Sequence, residues 1–125
     1  MNHMGTMVFV NFPVADVQRS TAFYEKLGFK KNEEFSTEEA SSMMWDDQFW
    51  IMLLNHDFYG KFIQEKQIID AQTTSGALIS FSLESAEAVK QFGETAKANG
   101  GNCYRVDMGI PEEQMYGLEV QDLDG

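Results

Sequence analysis

At 125 residues and 14.2 kDa the chain has the length of one ordinary domain, enough to bury about two-thirds of its unfolded surface without staples. With 43% hydrophobic and 23% charged residues it is globular in composition, which excludes a disordered or collagen-like chain. Acidic residues number 20 and basic residues 9, for a net charge of −11, and this excludes nucleic acid and anionic membrane surfaces as partners because both need a basic face.

The alternation from Thr6 to Val14 predicts a strand, with Val8, Val10, Phe12 and Val14 on one face and Met7, Phe9 and Asn11 on the other. Asp16 is placed to cap a helix, whose apolar stripe is Val17, Ser20, Phe23, Tyr24 and Leu27 and whose end is Gly28. Phe29 to Phe35 reads as extended. Ser42 to Trp45 and Phe49 to Leu54 form a predicted hairpin around Asp46-Asp47. His56 to Ser75 reads as a linker, a short helix followed by a polar stretch. Ala77 to Leu83 then alternates again, with Ala77, Ile79, Phe81 and Leu83 on one face and Leu78, Ser80 and Ser82 on the other. Ser85 is the second predicted cap, Ala86, Val89, Phe92 and Ala96 the second stripe, and Gly100-Gly101 the stop. Cys103 to Val106 and Tyr116 to Asp122 are the last predicted strands.

The two halves share a register. Val10 matches Ile79 (79 − 10 = 69), and the same offset joins Phe12 to Phe81, Val14 to Leu83, Asp16 to Ser85 and Phe23 to Phe92. Five matches in one frame imply an internal repeat. The repeat assigns equal burial to Phe23 and Phe92. It also predicts one more strand after the Asp122-Leu123-Asp124-Gly125 turn, where the sequence given ends. An unpaired edge on Tyr116 to Asp122 would then favour association, so a homodimer is expected.

Two copies of strand-helix-strand-strand-strand resemble the vicinal oxygen chelate superfamily, which includes glyoxalase I, bleomycin-resistance proteins, fosfomycin-resistance enzymes and extradiol dioxygenases. The residues that carry the resemblance are Phe12-Pro13-Val14-Ala15-Asp16, Ser20, Phe23-Tyr24, Leu27-Gly28-Phe29, Phe81-Ser82-Leu83, Gly100-Gly101 and the closing Asp122-Leu123-Asp124-Gly125. The resemblance implies an α+β fold: one domain of paired βαβββ modules, about residues 6–55 and 77–125, with the final strand absent from this chain. It also implies a cup enclosed by the modules, in which enzymes of the family hold a divalent metal with His, Glu or Gln. The first-strand ligand position corresponds to Phe9 and its counterpart to Leu78, and Phe49 to Leu54 supplies no donor beyond an indole and a thioether. Of the two histidines, His3 falls near the start and His56 in the linker, neither at a ligand position. No metal ligand is carried over, and no metal or other cofactor is expected.

Met43, Met44, Met52, Phe9, Phe49, Trp45 and Trp50 form an apolar, polarizable group that alternation must split between core and cup. The residues assigned to the ligand are Phe9, Asn11, Trp50, Met52, Leu78, Ser80 and Tyr116. Asn11, Ser80 and Ser82 need partners if buried, whether one another, water or a ligand. Cys103 reads as an inert thiol, with only Arg105 as a nearby cation. Glu33-Glu34, Glu38-Glu39, Glu112-Glu113 and the tail from Glu119 to Asp124 read as solvated surface or as an attraction for cations.

A single cysteine, no signal-peptide pattern at the first residues and no apolar run near the ~20 residues of a membrane span point to a cytoplasmic protein. The reading is therefore a metal-free binding protein for a small apolar or aromatic ligand, with a cationic one suited to the chain's charge. The alternative is a metal-dependent glyoxalase-type lyase or an extradiol-type dioxygenase.

Overall fold

The computed structural model describes residues 5–107, 109–113 and 116–125, and they fall into two compact units, Met1–Ile68 and Ile69–Gly125. His3 lies outside the described residues.

In the first unit the alternating residues of Val8–Val14 form β1, and Asp16 accepts from the Arg19 amide at 3.1 Å to start α1, Val17–Lys26. A residue at φ +108° must follow the helix, and Gly28 supplies it. The ring of Trp45 lies 3.3 Å from where a Cβ would stand, so Gly28 also makes room for that indole. β2 (Lys30–Lys31), β3 (Ala40–Met44) and β4 (Phe49–Asn55) follow, and α2 (His56–Ile63) starts where the Asn55 side chain accepts from the Phe58 amide. The strands run in the order β1-β4-β3-β2, with β1 parallel to β4 and the other pairs antiparallel.

One face of this sheet packs on α1. Val14, Phe23, Tyr24, Leu27, Phe29, Met43, Ile51 and Leu53 are buried there, and Tyr24, Phe29 and Trp45 meet edge to face in sequence. Two hydroxyls also lie in this layer. Thr21 donates to the Val17 carbonyl at 2.7 Å and accepts from Ser41 at 2.6 Å, so neither is left unsatisfied.

The second unit contains α3 (Ala86–Ala98), capped by Ser85, whose Oγ accepts from the Ala88 amide at 3.0 Å. The antiparallel pair β5 (Asn102–Tyr104) and β6 (Glu119–Gln121) completes it. Gly93 and Ala96 are buried on the helix. A Cβ on Gly93 would come within 2.7 Å of Leu118 Cδ1 and 3.2 Å of Cys103 Sγ, so the missing side chain is what admits Leu118 and Cys103 beside the helix. Cys103 is a free thiol, half-buried in this contact.

The α+β architecture expected from the sequence is present, and three of its predicted elements differ in extent. Phe29 to Phe35 keeps only β2 as strand, because Asn32 accepts from the Phe35 amide and turns the chain. The strands around Cys103 and Tyr116 shorten to β5 and β6. Residues 77–83 carry no strand ladder. In the first unit the corresponding strand, β1, is bonded to β4 alone, which follows the Asp46 turn. Among the described residues no strand pairs with 77–83 in that place. Phe92 is half-buried where Phe23 is 3% exposed, which corrects the equal burial assigned by the repeat.

The turns themselves match closely. Asp46 Oδ1 accepts from the amides two and three residues on, Gln48 and Phe49, and Asp122 Oδ1 does the same with Asp124 and Gly125.

Candidate functional site

Paired residues in a sheet share a face, so the strand registers fix which side chains stand opposite the α1 layer. Phe9 pairs with Trp50, Trp50 with Met44 and Met44 with Lys30, a row crossing all four strands. Beside it runs Asn11, Met52 and Ser42, and beyond that Pro13, Leu54 and Ala40. The structure therefore brings together four of the residues assigned from the sequence, Phe9, Asn11, Trp50 and Met52. It also divides the methionine and aromatic group: Met44 and Met52 stand on this face, Met43 and Phe49 on the α1 side with Trp45.

Trp50 is the centre of the face. Its ring lies 5.4 Å from that of Phe9 and 6.2 Å from that of Phe35, and its Nε1 donates to the Asp47 carbonyl at 3.0 Å. Trp50 is 7% exposed while Phe9 and Phe35 are 47% and 64% exposed, so two open phenyl rings flank a covered indole. Phe35 is not among the residues assigned from the sequence, which places it at the end of an extended segment, whereas in the structure it stands in the turn after β2. It is held by a local network. Ser42, fully buried, donates to the Phe35 carbonyl at 2.6 Å, and Ser36 accepts from the Ser42 amide while donating to the Asn32 carbonyl.

The amide side chains at the face are engaged nearby. Asn11 Nδ2 donates to the Phe9 carbonyl at 3.3 Å, and Asn32 Nδ2 lies 3.6 Å from Met44 Sδ. Phe9 occupies the position that the resemblance gives to a metal ligand, and its neighbours in the row are an indole that donates, a thioether and an ammonium. These residues do not fit a hard divalent metal, which takes oxygen or imidazole lone pairs. Among the described residues there is no group of three or more His, Cys, Asp or Glu able to hold a metal ion. His56 is exposed at the start of α2.

Leu78, Ser80 and Tyr116 belong to the second unit. Leu78 is 82% exposed and Ser80 is exposed, both in the segment without a ladder. Tyr116 is half-buried, and its ring takes Lys90 Nζ at 5.0 Å and Arg105 Cζ at 4.5 Å from the centroid. Arg105 is also paired with Glu112. Glu33, Glu34, Glu38 and Glu39 are exposed.

Residues 6–43 match the family model described as bleomycin resistance protein-like N-terminal, the stretch that runs from β1 through most of β3. A hypothetical protein from S. aureus, SA1046, has a solved structure that matches 99% of this chain and 90% of its own, at 25% identity and a TM-score of 0.73. The fold is that of the vicinal oxygen chelate superfamily. A glyoxalase/bleomycin resistance/dioxygenase family enzyme from Burkholderia phytofirmans PsJN shares this fold, at 21% identity and a TM-score of 0.58 over 82% of this chain and 79% of its own. No curated protein matches the chain. The residues from Phe12 to Phe29 that carry the resemblance lie within the stretch matched by the family model, and the likeness to the solved structures is one of fold. Among the described residues no helix is long and apolar enough to cross a membrane.

Proposed function

We propose that this protein binds a small apolar or aromatic molecule without a metal, as a member of the bleomycin-resistance branch of its superfamily would. The observation that supports this most is Phe9. It stands at the position of a metal ligand and is instead a half-open phenyl ring against Trp50, with Phe35 on the indole's other contact. Open aromatic rings and thioethers adapt to apolar ligands, and the polar groups beside them are already hydrogen-bonded. Leu78, Ser80 and Tyr116 remain proposed contributors from the second unit. The same reading makes the protein cytoplasmic and a homodimer, the latter tested by sedimentation at micromolar concentration, where a lone 14.2 kDa species would refute it.

Metal analysis of the purified protein, joined to a thermal-shift screen of aromatic compounds, tests the central claim. The expected result is no stoichiometric metal and stabilisation by uncharged or singly charged aromatic compounds. Stoichiometric zinc, nickel, manganese or iron would overturn it in favour of a glyoxalase-type lyase or an extradiol-type dioxygenase.

A further inference from the structure

The chain's charge of −11 suggests a cationic ligand, but the strand residues of the candidate face carry a different electrostatic pattern. On β1 to β4 the residues opposite the α1 layer are Phe9, Asn11, Pro13, Trp50, Met52, Leu54, Met44, Ser42, Ala40 and Lys30, which include one cation and no acid. The registers align four of them in a single row, Phe9, Trp50, Met44, Lys30. At about 4.8 Å per strand spacing the row spans about 14 Å, with aromatic rings at one end and an ammonium at the other. Lys30 is exposed and makes no ion pair among the described residues. Its neighbour Lys31 faces the other side of the sheet, where it pairs with Glu33 at 3.4 Å. The acids closest to the row in sequence are Glu33, which pairs with Lys31, and Glu34, Asp46 and Asp47. Asp46 accepts two turn amides, and Glu34 and Asp47 are exposed in loops, not on the strand face.

We infer that the ligand is an elongated aromatic acid: its ring lies against Phe9, Trp50 and Phe35, and its carboxylate meets Lys30. This rests on the proposed binding function and gives it a chemical class. Lys30 is then the residue that selects for charge, while the aromatic end supplies contact area. A lysine on a short edge strand also blunts edge-to-edge pairing, and the experiment must separate the two roles.

Isothermal titration of the full chain with 2-naphthoate, 2-naphthamide and 2-naphthylmethylammonium does so. These probes share one ring system and differ in the charge of its substituent. The carboxylate is expected to bind about three- to fivefold more tightly than the amide, the upper part of the range for one solvent-exposed ion pair, and the ammonium least tightly. Lys30→Met should remove the preference for the carboxylate over the amide. Lys31→Met changes net charge equally from the opposite face and should keep the preference. Equal binding of the three probes, tighter binding of the ammonium, or a preference that survives Lys30→Met would overturn the assignment and leave the binding reading intact. Failure of all three probes to bind would overturn both.

Discussion

The two units carry matched sequence and unequal structure. Positions 69 residues apart agree in type from Val10/Ile79 to Phe23/Phe92, and the helix caps Asp16 and Ser85 accept from the amide three residues on in the same way. Yet Val14 and Phe23 are buried in a four-stranded layer whereas Leu83 and Phe92 are half-buried, and Val10 and Phe12 are half-buried whereas Ile79 and Phe81 are exposed. The difference lies in β4. In the first unit β4 sits between β1 and β3 and bonds to both, so it alone makes one sheet out of a strand and a hairpin. Among its described residues the second unit has a hairpin-like pair and a helix, but no strand in that central place. Local signals, such as caps, turns and stripes, survive the loss of a sheet centre. Burial does not, because it depends on what the sheet presents to the helix.

The largest expected contrast is in backbone protection. Amides of Val10 and Phe12 point to β4 by the alternation set from the Val8 to Gln48 bond, and should exchange at least about 100-fold more slowly than those of Leu78, Ser80 and Ser82. Comparable hydrogen-exchange rates in the two segments would mean that 77–83 is paired in solution and that the units are more alike than described. Next come the aromatic cores. Phe23→Ala should cost ~3–5 kcal/mol in urea unfolding, and Phe92→Ala about half of that, since truncating a half-open ring loses less burial. Equal losses would restore the symmetry that the repeat implies. Thr21→Val should cost ~1–3 kcal/mol because the buried Ser41 hydroxyl then loses its acceptor, and adding Ser41→Ala should recover part of it. The smallest effects test the feature that both units share. Asp16→Ala and Ser85→Ala should each cost ~1 kcal/mol, measured by thermal unfolding, whatever the burial around the helix.

Much of the candidate face was legible in the sequence, as far as single strands go. Period-two alternation put Phe9 and Asn11 together and Trp50 and Met52 together, and the apolar character of Phe9 signalled the poor fit to a metal. The relation between strands was harder to read. The predicted strands end at Trp45 and resume at Phe49, and in the structure the loop does span Asp46 to Gln48, with Trp45 donating to the Phe49 carbonyl at 2.9 Å, whereas a two-residue turn at Asp46-Asp47 would pair Trp45 with Gln48. That single extra residue places Met44 and not Met43 beside Trp50, since a shift of one flips every side chain of a strand. Phe35 and Lys30 were overlooked for the same reason: their place depends on β3 as partner and on Ser42, not on their own neighbours in the chain.

By itself, then, the sequence determined the elements that rest on contacts a few residues apart: the capped helices, the Gly28 stop, the Asp46 and Asp122 turns and the two faces of β1. These follow from local hydrogen bonds and periodicity, which act over three or four residues and need no partner. Tertiary structure alone decided three things: the row from Phe9 to Lys30, the covering of Trp50 by two open rings, and the lack of a ladder at 77–83. Each of these depends on which strand lies alongside, and strand pairing joins residues as far apart as Phe9 and Trp50, whose identities say nothing of their register until the sheet has formed.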